Sequence, residues 1–479
     1  MRRPSFLASI IVVLIVITLL GISILHYGVA PQIPIVIAAI FVACYGQTLG
    51  YKWKELESAM AKGIFYGIPS ILILCLIGML IGVWVLNGTV PTITYYGLHT
   101  LSPDFFLMST VLICSIVSVV CGSSWSAIGT IGVSLMGVAY GLGISPAMTA
   151  GAIVCGAIFG DKISPLSDTT NLASATAKVN IYEHIKHMLW TTIPSFIITL
   201  GVFTAIGLFL DRGNEDSSQI ETIMNVLNDE FMITPITLIS PLLIIILAVK
   251  RMSPIPSLVI GLIVAIMTTF YTVPNVAIGT IMETAHNGYV AETGVEAIDQ
   301  LLSLGGLSSM LFGVSLILIS LAFGGIIQQI GIAHSIIEGI QKMLKNRGNV
   351  ITSTVCSCLG INLTVGEQYL SIILPGQLFE SAFKKVKLHP KNLSRTLEDA
   401  GTIIHPMIPW GVTGAFIMST LNIGMEYVPY VFISMITPVI AIIYGYTGIG
   451  LAPLQEEERE REIESIENKS KVTRNVMEG

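Results

Sequence analysis

Three charged side chains and a run of hydroxyls stand together in Gly160-Asp161-Lys162-Ile163-Ser164-Pro165-Leu166-Ser167-Asp168-Thr169-Thr170-Asn171, with apolar residues on both sides. A hard cation such as Na+ takes oxygen ligands, and this stretch offers carboxylate, hydroxyl, amide and, beside Pro165, unpaired backbone carbonyl. Asp168, Ser164, Ser167, Thr169 and Asn171 make a candidate ion-binding set. Asp168, Ser164 and Asn171 are the candidate Na+ ligands proper, and Asp161 is the second carboxylate. Na+ and H+ would compete there, because a buried carboxyl favours its proton while a bound cation favours the ionised form. Two such carboxyls would titrate as a coupled pair. Lys162 would either neutralise Asp161 or fill space with its stem. Read blandly, the same stretch is a cytoplasmic loop between two ordinary helices.

A second polar group, Thr364, Glu367 and Gln368 with Ser371 one turn on, opens another apolar segment. Glu367 there is either an ion or proton ligand or a carboxylate capping a helix N-terminus. His405, beside Pro406, is either a proton relay or a hydrogen-bonded packing residue. Ser123, Ser124 and Ser126 would ease a turn by bonding to backbone, while Glu398 and Asp399, at the start of their span, read as solvated. The seven cysteines read as small packing residues. No His pair at metal spacing, no GxSxG and no GxxxxGK[ST] occurs, which argues against an intramembrane enzyme and against a nucleotide-driven pump. No cofactor is expected beyond Na+ and H+ as transported ions.

The elements that must hold these residues are membrane helices. Hydrophobic residues make up 53% of the 479 and charged residues 11%, against about 25% charged in soluble chains. The apolar residues arrive in blocks of roughly 18 to 25, long enough to cross about 30 Å of hydrocarbon as helices. The expected fold is an all-α polytopic membrane protein of about fourteen spans. The run after Met1-Arg2-Arg3-Pro4-Ser5 is of full span length without a clear cleavage site, so it reads as the first span. With the N-terminus inside, 22 of the 24 basic residues sort to the inner side, Arg212 falling outside and Lys162 within a span. Both termini are then cytoplasmic, and the outer loops 212–232 and 273–306 are acidic or neutral. Charge so arranged suggests no nucleic-acid partner.

Residues 146–177 and 396–424 are too long and too interrupted for plain spans. Pro165, Pro406 and Pro409 remove backbone donors, and Gly160, Gly401 and Gly411 loosen the turns nearby. Gly160 and Ser164-Pro165 precede Gly401 and His405-Pro406 by 241 positions, and Gly82 and Gly88 precede Gly325 and Gly331 by 243. The expected organisation is two N-terminal spans (1–62), a first five-span repeat (63–210), linking spans and outer loops (211–306), a second, inverted repeat (307–449) and a cytoplasmic tail (450–479). Paired broken or re-entrant helices in inverted repeats mark the binding site of a secondary transporter.

At Gly160–Asn171 the chain resembles the signature of NhaC-type Na+/H+ antiporters, a family that includes malate-2H+/Na+-lactate antiporters and belongs to a broader ion-transporter superfamily. The likeness runs over nearly the whole chain and takes in Gly122-Ser123-Ser124-Trp125 and His405-Pro406-Met407-Ile408-Pro409-Trp410-Gly411. It implies exchange of cytoplasmic Na+ for external H+ across a bacterial plasma membrane. Small inorganic cations and the lipid bilayer are then the partners. Co-exchange of a small carboxylate, malate for lactate, is the alternative, and a homodimer is an admissible assembly. The motif is matched at Asp161, Ser164, Pro165, Ser167 and Asp168, without a ligand assignment to carry across.

Overall fold

Hydrocarbon offers a backbone no hydrogen-bond partners, so a chain of this composition must satisfy its amides internally. The computed structural model describes residues 3–209, 217–294, 298–299, 302–341 and 346–454. Among them the chain is helical throughout, and its β-pairing is one isolated bridge between Leu388 and Pro453. The tail expected at 450–479 lies outside the described residues from 455 on.

In order the helices are α1 (Phe6–Gly21), α2 (Gln32–Thr48), α3 (Trp53–Leu86), α4 (Thr89–Thr100), α5 (Phe106–Cys121), α6 (Ser124–Ala127) and α7 (Val133–Gly141). Then come α8 (Pro146–Ile163), α9 (Asp168–Thr176), α10 (Ile181–Phe209), α11 (Ser217–Glu230), α12 (Ile239–Val249), α13 (Pro254–Thr272) and α14 (Ile278–Asn287). The last third holds α15 (Leu311–Ile330), α16 (Ile332–Gln341), α17 (Arg347–Val365), α18 (Gln368–Lys385), α19 (Pro390–Leu397), α20 (Val412–Thr420) and α21 (Phe432–Thr447). Wider π turns interrupt the regular winding at Ile128–Gly132 and Glu398–Thr402.

Seven of these helices are long and apolar enough to cross a membrane, and up to nine if each sharply bent pair counts as one crossing. The fourteen expected from apolar blocks exceed this because several blocks are divided. The block at 146–177 bends by 48° between α8 and α9, and the one at 396–424 splits into a π turn, a 3-10 turn and α20. The segments read as outer loops are also not plain loops: they contain α11 and α14. At 34 residues α3 is about 51 Å long, well beyond the hydrocarbon thickness, and carries Pro69 in its interior.

Polarity is turned inside out. Leu7, Phe65, Ile116, Ile197 and Met267 are each at least 61% exposed, while Lys162, Arg395, Glu398 and Asp399 are fully buried. Apolar surface on this scale suits lipid contact, and charge inside it suits a transport path. Small residues let the interior helices close up. A Cβ at Gly156 would lie 2.3 Å from the carbonyl oxygen of Val111, and one at Gly160 would lie 2.4 Å from that of Ser115, so α8 rests directly on the backbone of α5.

Candidate functional site

The site is built where helices end. α5 stops at Gly122, whose φ of 65° closes the last turn, and Ser123 follows in extended conformation. Ser123 then caps α6, accepting from the Ser126 N–H at 3.3 Å. The other half repeats the device: α17 stops at Gly366 (φ 70°), and extended Glu367 caps α18 by accepting from the Leu370 N–H at 2.8 Å. Between them α8 breaks over residues 164–167. Ser167 caps α9, and Asp168 sits in that helix's first turn, where the positive end of the dipole favours a carboxylate.

These ends meet around a cavity of about 680 Å³. Asp161, Asp168, Asn171, Glu367 and His405 line it, together with Ser124, Tyr369 and Thr413, and exposed Arg251 stands on its rim. Ser124 Oγ donates to Asp161 Oδ2 at 2.7 Å. The Tyr369 hydroxyl donates to Asp168 Oδ2, so stretch 160–171 and stretch 364–371 are joined by a direct hydrogen bond. Asp168 is also close enough to Asp161 and Glu367 for each to feel its charge. Three carboxylates from two broken segments thus share one wet space.

Ser164, Ser167, Thr169, Thr364 and Lys162 stand behind the cavity wall instead. Ser164 Oγ donates to the Val119 carbonyl at 2.8 Å and accepts from the Leu166 N–H at 3.3 Å. Thr364 Oγ1 donates to the Gly360 carbonyl at 2.7 Å. Asn171 reaches the cavity but spends its amide hydrogens on the Pro165 and Ser167 carbonyls, at 3.0 and 2.6 Å, holding the break in shape. His405 Nε2 faces the Gly366 carbonyl at 3.0 Å and must donate to it, which leaves Nδ1 of the neutral ring to accept from Thr413 Oγ1 at 2.7 Å. Its ring ties the second break to α20.

The model of the Na+/H+ antiporter family matches residues 2–170 and 156–449, which together span nearly all of the described chain. The chain belongs to the Na+/H+ antiporter family. It is 46% identical over 428 residues to the Na+/H+ antiporter NhaC of Alkalihalophilus pseudofirmus, covering 89% of this chain and 92% of that one. It is 41% identical over 419 residues to the Na+/H+ antiporter NhaC of Bacillus subtilis (87% and 92% covered). With the malate-2H+/Na+-lactate antiporter of Bacillus subtilis it shares 36% identity over 454 residues (93% and 96% covered). It is a multi-pass membrane protein.

In this family member two acidic residues stand elsewhere than their sequence suggests. Glu398 and Asp399, read as solvated, are fully buried, because the π turn that carries them is wedged among α9, α17, α18 and α21. Lys162 neither neutralises Asp161 nor merely fills space: it forms an ion pair with Asp399, across 237 positions of chain. Thr191 Oγ1 of α10 donates to the same Asp399 oxygen at 2.9 Å. The Gly401 carbonyl in the π turn accepts from both Asn362 Nδ2, at 2.8 Å, and Ser371 Oγ, at 3.0 Å. Tyr369 and Thr191 escaped the sequence reading, and Arg395, counted there among the inner-side basic residues, is fully buried. Tyr369 had a faint signal, a phenol two positions after Glu367 in an apolar segment.

Proposed function

We propose that this protein is a secondary transporter that exchanges cytoplasmic Na+ for external H+ across the bacterial plasma membrane. The observation that carries this reading is the gathering of Asp161, Asp168 and Glu367 around one open cavity by two helix breaks that face each other. Na+ entering the cavity would be met by the Asp161 and Asp168 carboxylates, with the Ser124 hydroxyl and the Asn171 and Glu367 oxygens beside them. Protons and Na+ exclude one another there because neutralising the same carboxylates removes the reason for the other cation to bind. Ser164, Ser167 and Thr169 would serve by fixing the break rather than by touching the ion.

About fourteen crossings in two inverted repeats, with both termini in the cytoplasm, remain our reading of the topology. The matched conformations at Gly122 and Gly366 support it, as do those at Gly88 and Gly331, with φ of 83° and 80°. By the sorting of basic residues, the rim at Lys250 and Arg251 is cytoplasmic, and the cavity is the inward-open half of an alternating-access cycle. The test is Na+-dependent dissipation of a pH gradient in proteoliposomes. Asp168→Asn is expected to insert normally and lose Na+-dependent proton movement by at least about a hundredfold. Ordinary exchange by that variant would remove Asp168 from the role.

A carboxylate exchanger is the second reading, favoured by a cavity far larger than a Na+ ion and by the guanidinium on its rim. Malate or lactate added to the same proteoliposomes would then alter the Na+-driven pH signal, and no change would exclude it.

A further inference from the structure

At the cavity wall and behind it five ionisable side chains form one buried body. Asp161 is 6% exposed, and Lys162, Arg395, Glu398 and Asp399 are 0% exposed. Asp399 is held by both cations: Lys162 Nζ pairs with Oδ1, and Arg395 Nε lies 3.8 Å from Oδ2. Glu398, one residue earlier, has no Lys or Arg nitrogen within 4.0 Å among the described residues. What reaches it is a hydroxyl, Thr169 Oγ1, which donates to Oε1 at 3.2 Å. Thr169 Oγ1 in turn lies 3.1 Å from Ser167 Oγ, the cap of the break that follows Asp161. Lys162 and Asp161 both act on the Glu398 carboxylate by their charge, Lys162 the more strongly although it stands beyond ion-pair distance.

Taken as ionised, these groups hold two positive and three negative charges, one negative charge in excess. A medium that cannot solvate that excess demands one added monovalent cation. Two places can take it. The cavity face of Asp161 is open to an ion, whereas Glu398 is fully buried outside the cavity lining and joined to the helix break by hydroxyls in hydrogen-bond contact, an arrangement that suits relay of a proton rather than passage of a metal ion. We propose that Na+ at Asp161 and a proton on Glu398 are alternative ways of neutralising this cluster. Glu398 is then a second proton-carrying group, coupled to the cation site by charge rather than by a shared ligand.

The elements around the cluster bring other titratable groups, and none supplies Glu398 with a cation. Asp168 on α9 has Tyr369, and Glu367 has the N-terminus of α18. His184 Nδ1 and His187 Nε2 on α10 are bonded to the neutral partners Ser394 and Asn392, at 2.8 and 3.2 Å. His405 is bonded to Thr413 and Gly366. Cys358 on α17 and Tyr444 on α21 complete the set and carry no positive charge.

This proposal rests on the Na+/H+ reading, and its test separates the two. Purified full-length protein in detergent is titrated with NaCl, and the protons released per Na+ bound are counted with a pH-indicating dye. Wild-type protein is expected to release protons as Na+ binds. In Glu398→Gln the cluster is already neutral when empty, so Na+ should bind at least about tenfold more weakly, with fewer protons released per ion. An unchanged proton count in that variant overturns the assignment of Glu398 alone, whereas a wild-type protein that exchanges no Na+ for H+ sinks the antiport reading itself. Thr169→Val keeps all five charges and removes the hydroxyl link, which guards against a glutamine variant that fails to fold. It is expected to slow Na+-driven proton release severalfold at an unchanged count per ion, and a wild-type rate in it overturns the proposed route.

Discussion

A phenol on a carboxylate is where the two halves of the cavity touch. Tyr369→Phe removes the donor from Asp168 Oδ2 and nothing else. A hydrogen bond to a charged group contributes about 1.5–3 kcal/mol, so the Na+ concentration for half-maximal exchange is expected to rise roughly tenfold or more. An unchanged value would assign Tyr369 to packing. Lys162→Met leaves Asp399 with the Thr191 hydroxyl and, as its one cation among the described residues, Arg395 at 3.8 Å, and breaking a buried pair in this way costs about 3–5 kcal/mol. Thermal inactivation in detergent should show the loss. At this scale the sequence marked Asp161, Asp168 and Glu367, which line the cavity, because each is an ionisable group interrupting apolar surroundings. It misled where charge lies near charge. Glu398 and Asp399 follow Lys391 and Arg395 closely enough to look like a solvated edge, and the cation that buries Asp399 comes from another helix. Nor could it tell that Ser164 turns toward Val119, since the phase of a side chain around a helix break depends on the break's own geometry.

Breaks and close contacts belong to the scale of elements. α8 can lie against α5 only while Gly156 and Gly160 lack a Cβ. Gly160→Ala is expected to cost about 1–3 kcal/mol through forced separation of the pair and to lower the melting temperature in detergent. Gly201→Ala on α10, whose new Cβ meets nothing within 4 Å, is the control and should leave it unchanged. Proline and glycine made the interruptions at 164–167 and after residue 396 legible, because each removes a donor or permits a turn that other residues resist. The π turn at Glu398–Thr402 left no such mark: its Gly401 carbonyl is met by Asn362 and Ser371 from α17 and α18, so what stabilises it is tertiary. α11 and α14 were missed for a related reason. Both are short and mixed in polarity, and a block-counting reading passes over helices of that kind.

Farther along the molecule a second, smaller cavity of about 220 Å³ is lined by two of the same helices, α3 and α20. On α3 the large cavity is lined by Ile73 and the small one by Ile81. On α20 and the residue pair after it, the lining passes from Thr413 to Ser419 and Asn422. Between them stand Ile77, fitted against Gly129, and the stacked rings of Trp125 and Phe416, 4.1 Å apart. Single cysteines should report the division in a background without the native ones. Asn171→Cys is expected to react with a membrane-impermeant thiol reagent in inverted vesicles, and Asn422→Cys in right-side-out vesicles. The opposite pattern would reverse the assigned orientation.

That partition presents mainly the carbon surfaces of an indole, a benzyl ring and a branched alkyl group, which give a file of water molecules no continuous chain of hydrogen-bond partners for handing protons across. On the proposed cycle an idle copy in an energised membrane is therefore an insulator: charge would cross only when the protein itself changes shape, and a cell could keep many copies in place without short-circuiting the gradient that drives them.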